Sequence, residues 1–203
     1  MKIFMIGSVL TLLSSFANAA TSNFSIVFGE SNESPTSGPL RVLGSNPHYF
    51  QTPDGKGIYL TGVHSWPGQW SWSNFGAYSF PAFIDYVTSA LHQNFTRYWA
   101  EWLTYNDIPN NGGLISPLPF NRSGSCCTTD GGNKFDLTSF NQSFFDKMKT
   151  NIEYASSKGV YTMVDLFVNN DYGLGHWNRS YWNGSNNINN TVTDFLLINS
   201  NPD

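Results

Sequence analysis

Apolar residues recur every three or four positions along SFPAFIDYVTSALHQN, so that Phe80, Phe83, Ile84, Val87 and Leu91 fall on one face of a helix. Ser79 precedes this stretch as a cap, and Pro81 sits in the first turn, where a missing N–H costs nothing. The same period returns in Phe144, Phe145, Met148, Ile152 and Ala155, predicting a second helix from about Asn141 to a stop at Gly159. Around these helices the pattern changes. GIYLTGVHSW (57–66), FTRYWAEW (95–102) and VYTMVDLFV (160–168) are short runs of β-branched and aromatic residues bounded by turn signals, and read as strands. The third is nearly continuous in apolar residues, which predicts a parallel strand covered on both faces. Residues 103–136, carrying NNGG, PLP and NRSGSCCTTDGG, show little apolar periodicity and read as a long loop.

The order strand, helix, strand, helix, strand implies an α/β fold, with parallel strands and helices outside them. The helix-to-strand links, HQN and SKG, are short, whereas the strand-to-helix links are long and rich in Trp, Asn and Gly. In barrels and open sheets alike the loops after the strand C-termini form the functional face, so function is expected there.

Strand residues two apart share a face. Phe95, Arg97, Trp99 and Glu101 therefore point one way, with Gly62, His64 and Trp66 on the first strand and Met163, Asp165 and Phe167 on the third. Asn169 follows in the loop after the third strand. The seven tryptophans are all placed in or near this mouth. Sugars present C–H faces that stack on aromatic rings and hydroxyls that need planar polar partners, so a mouth of Trp, Asn, Arg and carboxylate suits carbohydrate. The tryptophans could equally be core packing, and Arg97 with Asp165 a structural ion pair; both readings stand at this point. If that pair is shielded from water, removing one partner would cost on the order of 3–5 kcal/mol.

Composition narrows the alternatives. The net charge of −4, with no cluster of Lys or Arg, excludes a nucleic-acid partner. There is no Gly-rich phosphate loop, no G-x-S-x-G elbow and no H-E-x-x-H, and the spacings of His48, His64, His92 and His176 match no metal-ligand motif. No cofactor or metal is expected.

Lys2 ahead of an apolar run ending in Ala17-Asn18-Ala19 reads as an export signal over residues 1–19, and the run is shorter than the roughly 20 residues a membrane span requires. Residues 20–38 are polar and breaker-rich, a linker, with the domain proper over 39–203. Export permits disulfides, yet the two cysteines, Cys126 and Cys127, are neighbours. A bridge between them, two free thiols and bridges to cysteines elsewhere all remain open. Asn-x-Ser/Thr sequons begin at Asn23, Asn32, Asn94, Asn121, Asn141, Asn178, Asn183 and Asn189, which fits a secreted glycoprotein; Asn94, leading into a buried strand, is expected to stay unmodified.

The stretches GPLRVLGSNPHYFQTPDGKGIYLTGVHSW, QNFTRYWAEW and GVYTMVDLFVNN resemble, in order and spacing, the opening of secreted (β/α)8 glycosidases of the cellulase-like superfamily known as clan A, apiosidase-like enzymes among them. The resemblance covers residues 39 to about 190. It implies a partial (β/α)8 TIM barrel comprising the first three βα units. It also implies that Arg97 lies beside the nucleophile carboxylate, that His64, Trp66 and Glu101 face glycan subsites, and that glycosides are cleaved with retention by two glutamates about 5 Å apart. In that superfamily the acid/base follows an asparagine on the fourth strand and the nucleophile ends the seventh, and no residue here matches either. The sequence is therefore expected to be a portion of a longer product, short of the roughly 250 residues of a full barrel, with His64, Trp66, Arg97, Trp99, Glu101, Asp165 and Asn169 as substrate-binding residues and no catalytic residue of its own. The alternative is a non-catalytic carbohydrate-binding or structural protein built on the same barrel. Oligomeric state is not legible.

Overall fold

The computed structural model describes residues 26–27, 35–72, 78–100, 103–106, 113–167 and 176–190. The architecture is mixed α/β. In chain order the elements are β1 (Ile26–Val27), β2 (Arg41–Val42), β3 (Phe50–Gln51), β4 (Gly57–Ile58), β5 (Ser71–Trp72), α1 (Phe80–Ser89), β6 (Phe95–Trp99), β7 (Tyr105–Asn106), β8 (Gly113–Ser116), β9 (Phe120–Cys126), β10 (Asn133–Phe140), α2 (Gln142–Ser157) and β11 (Tyr161–Asp165).

The two helices form where the periodicity puts them. The Ser79 side chain accepts a hydrogen bond from the Ala82 N–H at 3.2 Å and caps α1, while Gly159 adopts φ 74° just beyond α2, where a Cβ would be strained. Strands β6 and β11 pair in parallel from Phe95↔Tyr161 to Trp99↔Asp165. Thr96, Tyr98 and Ala100 turn toward the helices and are buried, with Phe80, Ile84 and Val87 of α1 and Ala155 of α2 in the same core. A polar network threads this layer. The Tyr98 hydroxyl donates to Gln69 Oε1 and accepts from Asn151 Nδ2 at 2.9 Å, while Gln69 Nε2 donates to the Phe144 carbonyl at 2.7 Å. The loop carrying Trp66 to Trp70 is thereby tied to both sheet and helix.

The run 57–66 is not one continuous strand. Its first two residues, β4, pair antiparallel with β3 and parallel with β1, so Ile26–Val27 inside the linker segment joins this small sheet. Thr36 N–H donates to the Ser156 carbonyl at 2.9 Å, a second attachment of that segment. Farther on the chain lies beside β6 through one parallel bridge, Gly62↔Phe95. Side chains complete the seam: Asn94 accepts from Thr61 N–H at 2.9 Å and donates to the Tyr59 carbonyl at 3.0 Å, and the Thr96 hydroxyl donates to the Val63 carbonyl at 2.8 Å. The approach is so close that a Cβ on Gly62 would lie 2.1 Å from the Phe95 carbonyl oxygen.

Two expectations are corrected. The region 103–136 is not a plain loop: β9 and β10 form an antiparallel hairpin, and β5, β8 and β7 a small antiparallel sheet, beside the parallel strands expected. Phe120, Phe135 and Tyr181 give the hairpin its own core, and residues 186–189 lie along β10, where Phe135 N–H donates to the Asn186 carbonyl and Ile188 N–H to the Phe135 carbonyl, both at 2.9 Å. Secondly, β11 is not covered on both faces, since Met163 on the Arg97 side is 43% exposed.

Candidate functional site

The site grows from the register of β6 and β11. Parallel partners point to the same face, so Arg97 stands next to Met163 and Trp99 next to Asp165. Arg97 crosses the diagonal to Asp165. Its Nε and Nη2 lie 3.0 and 2.5 Å from Asp165 Oδ2, so one oxygen takes both donors and Oδ1 stays clear of the guanidinium. The Arg97 side chain is 46% exposed and that of Asp165 16%, so the pair is half open to water rather than shielded. The buried-pair penalty is therefore replaced by the smaller one of a solvated pair.

His64 reaches the same face from the neighbouring segment. Its Nδ1 is 3.4 Å from the Arg97 carbonyl oxygen, and its ring centre is 4.6 Å from that of Trp99, tilted by 46°. Its Nε2 is enclosed without a hydrogen-bond partner among the described residues. Burial pushes the imidazole below its ordinary pKa, and the nearby Arg97 charge acts in the same direction, opposed by the Arg97 carbonyl and by Asp165. His64 is thus neutral at pH 7. Trp66 lies nearly parallel to Trp99, 6.2 Å between centres and 7° between planes, and is 55% exposed. An exposed indole face beside an Arg–Asp pair is thereby formed at the C-terminal ends of two adjacent parallel strands.

The other tryptophans divide. Trp70 is buried with Leu103 and Ile115, Trp177 packs against that cluster as Trp99 does, and Trp182 packs edge-on against Phe120 and lies 6.0 Å from Phe167. Glu101, Trp102 and Asn169 lie outside the described residues, as do residues 1–19. Among the described residues no group of three or more His, Cys, Asp or Glu is placed to hold a metal ion. Cys126 and Cys127 are bonded to each other at the hairpin end.

Sequence reasoning missed the knot beside this disulfide. Arg122 forms an ion pair with Asp130, donates to Thr128 Oγ1 at 3.0 Å and to the Asn133 carbonyl at 2.7 Å, and lies 3.9 Å from the centre of the Phe135 ring. Burial of Asp130 opposes ionisation, but hydrogen bonds from Arg122, Thr128 and Gly132 together with the Arg122 charge outweigh it and hold the carboxyl below its ordinary pKa. The sequence T-T-D-G-G at a turn was its one local signal.

Residues 114–195 match a domain of unknown function, DUF6298. The matched stretch is the hairpin, α2, β11 and the segment docked on the hairpin; it does not include Arg97, Trp99 or His64. No curated protein matches the chain. Among solved structures the chain is similar to that of "a putative glycoside hydrolase" from Bacteroides vulgatus, at 19% identity and a TM-score of 0.50, over 72% of this chain and 26% of the other. At that identity the likeness is one of fold, and this chain spans about a quarter of the solved protein's length. Among the described residues no helix is long and apolar enough to cross a membrane.

Proposed function

We propose that the chain supplies the opening βα units of a secreted (β/α)8 glycoside hydrolase of the clan A type, and that Trp66, Trp99, His64, Arg97 and Asp165 form part of its glycan-facing floor. The observation that carries this reading is the exposed, parallel Trp66–Trp99 stack beside the Arg97–Asp165 pair. The Trp66 face suits the C–H face of a pyranose, and the Arg97 N–H groups and Asp165 Oδ1 suit its hydroxyls. The fold likeness to the Bacteroides protein supports the barrel, and that protein's description supports the hydrolase class.

In this reading Asp165 is not a reacting carboxylate, because it ends the third strand and matches neither catalytic position that the resemblance implies. Retaining cleavage needs two carboxyl groups about 5 Å apart, and the reading assigns them to later strands of the barrel. Glu101 and Asn169 are assigned to the same floor, residues 1–19 to export, 20–38 to a linker and 39–203 to the barrel.

The test is reducing-end release from soluble β-glucans, xylans and pectins by the full chain, with binding followed by affinity electrophoresis. Loss of binding in Trp66→Ala with an unchanged melting temperature is the expected result. Retained binding in that variant would reject this floor. The exposed Trp66 face needs no reacting carboxylate to hold a sugar, and so also fits a second reading, a non-catalytic carbohydrate-binding protein; a product extended through the later barrel strands that binds glycan and still releases no reducing ends is the outcome expected of it.

A further inference from the structure

A cavity of about 440 Å³ lies between the β9–β10 hairpin and the β5–β8–β7 sheet, and it borders the Trp70–Leu103–Ile115 cluster against which Trp99 packs. A second, of about 420 Å³, shares Leu114 and Asp130 with it as lining. Both are of a size that holds small ligands. Neither is lined by Arg97, Trp66 or Asp165.

We propose that this cleft binds a neutral, polyhydroxylated ligand, a saccharide unit, at a site separate from the Arg97 mouth. Thr104 lines the larger cavity and is 1% exposed, yet its hydroxyl has no hydrogen-bond partner among the described residues. A buried hydroxyl left unpaired is destabilising, and a small rotation of Thr104 toward the cleft would let a ligand group complete its bonding. The other polar groups are partly spent in a way that leaves mixed capacity. Asn121 donates both amide hydrogens, to Ser139 Oγ at 3.0 Å and the Phe140 carbonyl at 2.9 Å, and keeps its carbonyl oxygen as an acceptor. Asn141 donates one hydrogen to the Leu118 carbonyl at 2.8 Å and keeps the other. Such a set matches hydroxyl groups, which donate and accept at once.

Charge decides against the other small-ligand classes. The charged groups on this cavity, Arg122 and Asp130, neutralise each other, and the Asp130 side chain, 1% exposed, is further held by Thr128 and by Gly132 N–H at 3.1 Å. A phosphate or carboxylate finds no unpaired cation here, and an amine no unpaired carboxylate. Leu114, 55% exposed, supplies an apolar rim for a C–H face.

The choice of a saccharide rests on the glycan reading of the mouth, but the two are tested apart. The full chain is titrated with D-glucose, D-xylose, D-galactose and xylobiose while amide resonances are followed by NMR. At least one sugar is expected to shift Thr104, Leu114 and Asn121, and Thr104→Val to weaken it roughly 3- to 10-fold. The same variant should keep or raise the melting temperature, because it removes an unpaired hydroxyl. Leu114→Trp, which narrows the rim, should also block the shifts, whereas Trp66→Ala should leave them intact. Shifts confined to the Trp66 and Arg97 region, no effect of Thr104→Val and Leu114→Trp, or equal shifts with inorganic phosphate would overturn the assignment. If the mouth fails to bind glycans and these amides still respond, the first reading falls and this one stands.

Discussion

Replacing Tyr98 by Phe removes one oxygen from the centre of the buried polar layer and nothing else. Tyr98 is fully enclosed, its hydroxyl bridges Gln69 Oε1 and Asn151 Nδ2, and burial raises its pKa far above the ordinary phenol value, so it is a neutral donor at every accessible pH. In the variant Gln69 keeps its bond to the Phe144 carbonyl, and Asn151 keeps a longer one to the Gly68 carbonyl at 3.3 Å. What is orphaned is one amide oxygen and one amide hydrogen, both buried. At about 1–3 kcal/mol for each buried group left unpaired, and with partial relaxation, the expected loss is about 2–4 kcal/mol. For a domain of this size that lowers the melting temperature by roughly 4–16 °C. Urea unfolding of the full chain, followed by far-UV circular dichroism, measures it. The double variant Tyr98→Phe with Gln69→Leu should lose less than the sum of the single losses, because an orphan disappears with its partner. A Tyr98→Phe protein within about 0.5 kcal/mol of the parent would refute the reasoning and show that the network contributes nothing to holding the Trp66 loop.

Four further outcomes are expected. Gly62→Ala drives a Cβ into the Phe95 carbonyl and should destabilise by about 3 kcal/mol, the upper end of overpacking costs, as read by the same unfolding curve. Arg97→Ala, breaking a pair whose arginine is half exposed, should cost only about 1 kcal/mol while weakening glycan binding, a split visible by comparing unfolding with affinity electrophoresis. His64 has a folded pKa below its unfolded value, so the stability it contributes is present above about pH 6.5 and is lost as pH falls through the folded value; His64→Gln should flatten stability between pH 7 and 5. Secreted material should begin at Ala20 by N-terminal sequencing, and an intact Met1 would remove the export assignment.

The parts legible from sequence are those in which one chain segment carries its own period. The two helices, the parity of Arg97, Trp99 and Asp165, and the cap at Ser79 all follow from spacing. The hairpin was hidden because β10 fully buries only Phe135, so the alternation that marks a half-buried strand is almost absent from NKFDLTSF. Its core partner Tyr181 stands far off in the chain. The asparagines carried no signal of their role: Asn183, named above only as the start of a sequon, is buried, and so are Asn186 and Asn187 beside it. Asn187 Nδ2 donates to the Tyr181 and Asn183 carbonyls at 3.1 and 3.0 Å, satisfying backbone that no helix or ladder serves. Trp70, fully buried, shows the reverse error, since aromatic content alone does not separate a sugar platform from a core.

The segment laid along β10 also sets an order of events. Between Phe135 and Asn186 the chain must first travel through α2 and β11, so the hairpin's outer backbone groups wait for a stretch some fifty residues downstream before they are paired. During synthesis or refolding that edge is open, and an open edge recruits other chains. Gly124, where a Cβ would lie 2.3 Å from Ile188 Cγ2, is the point at which the arriving segment closes down. Bulk at Gly124 should therefore show itself first as lost yield and aggregation during expression, before any change in the activity of the molecules that do complete the fold.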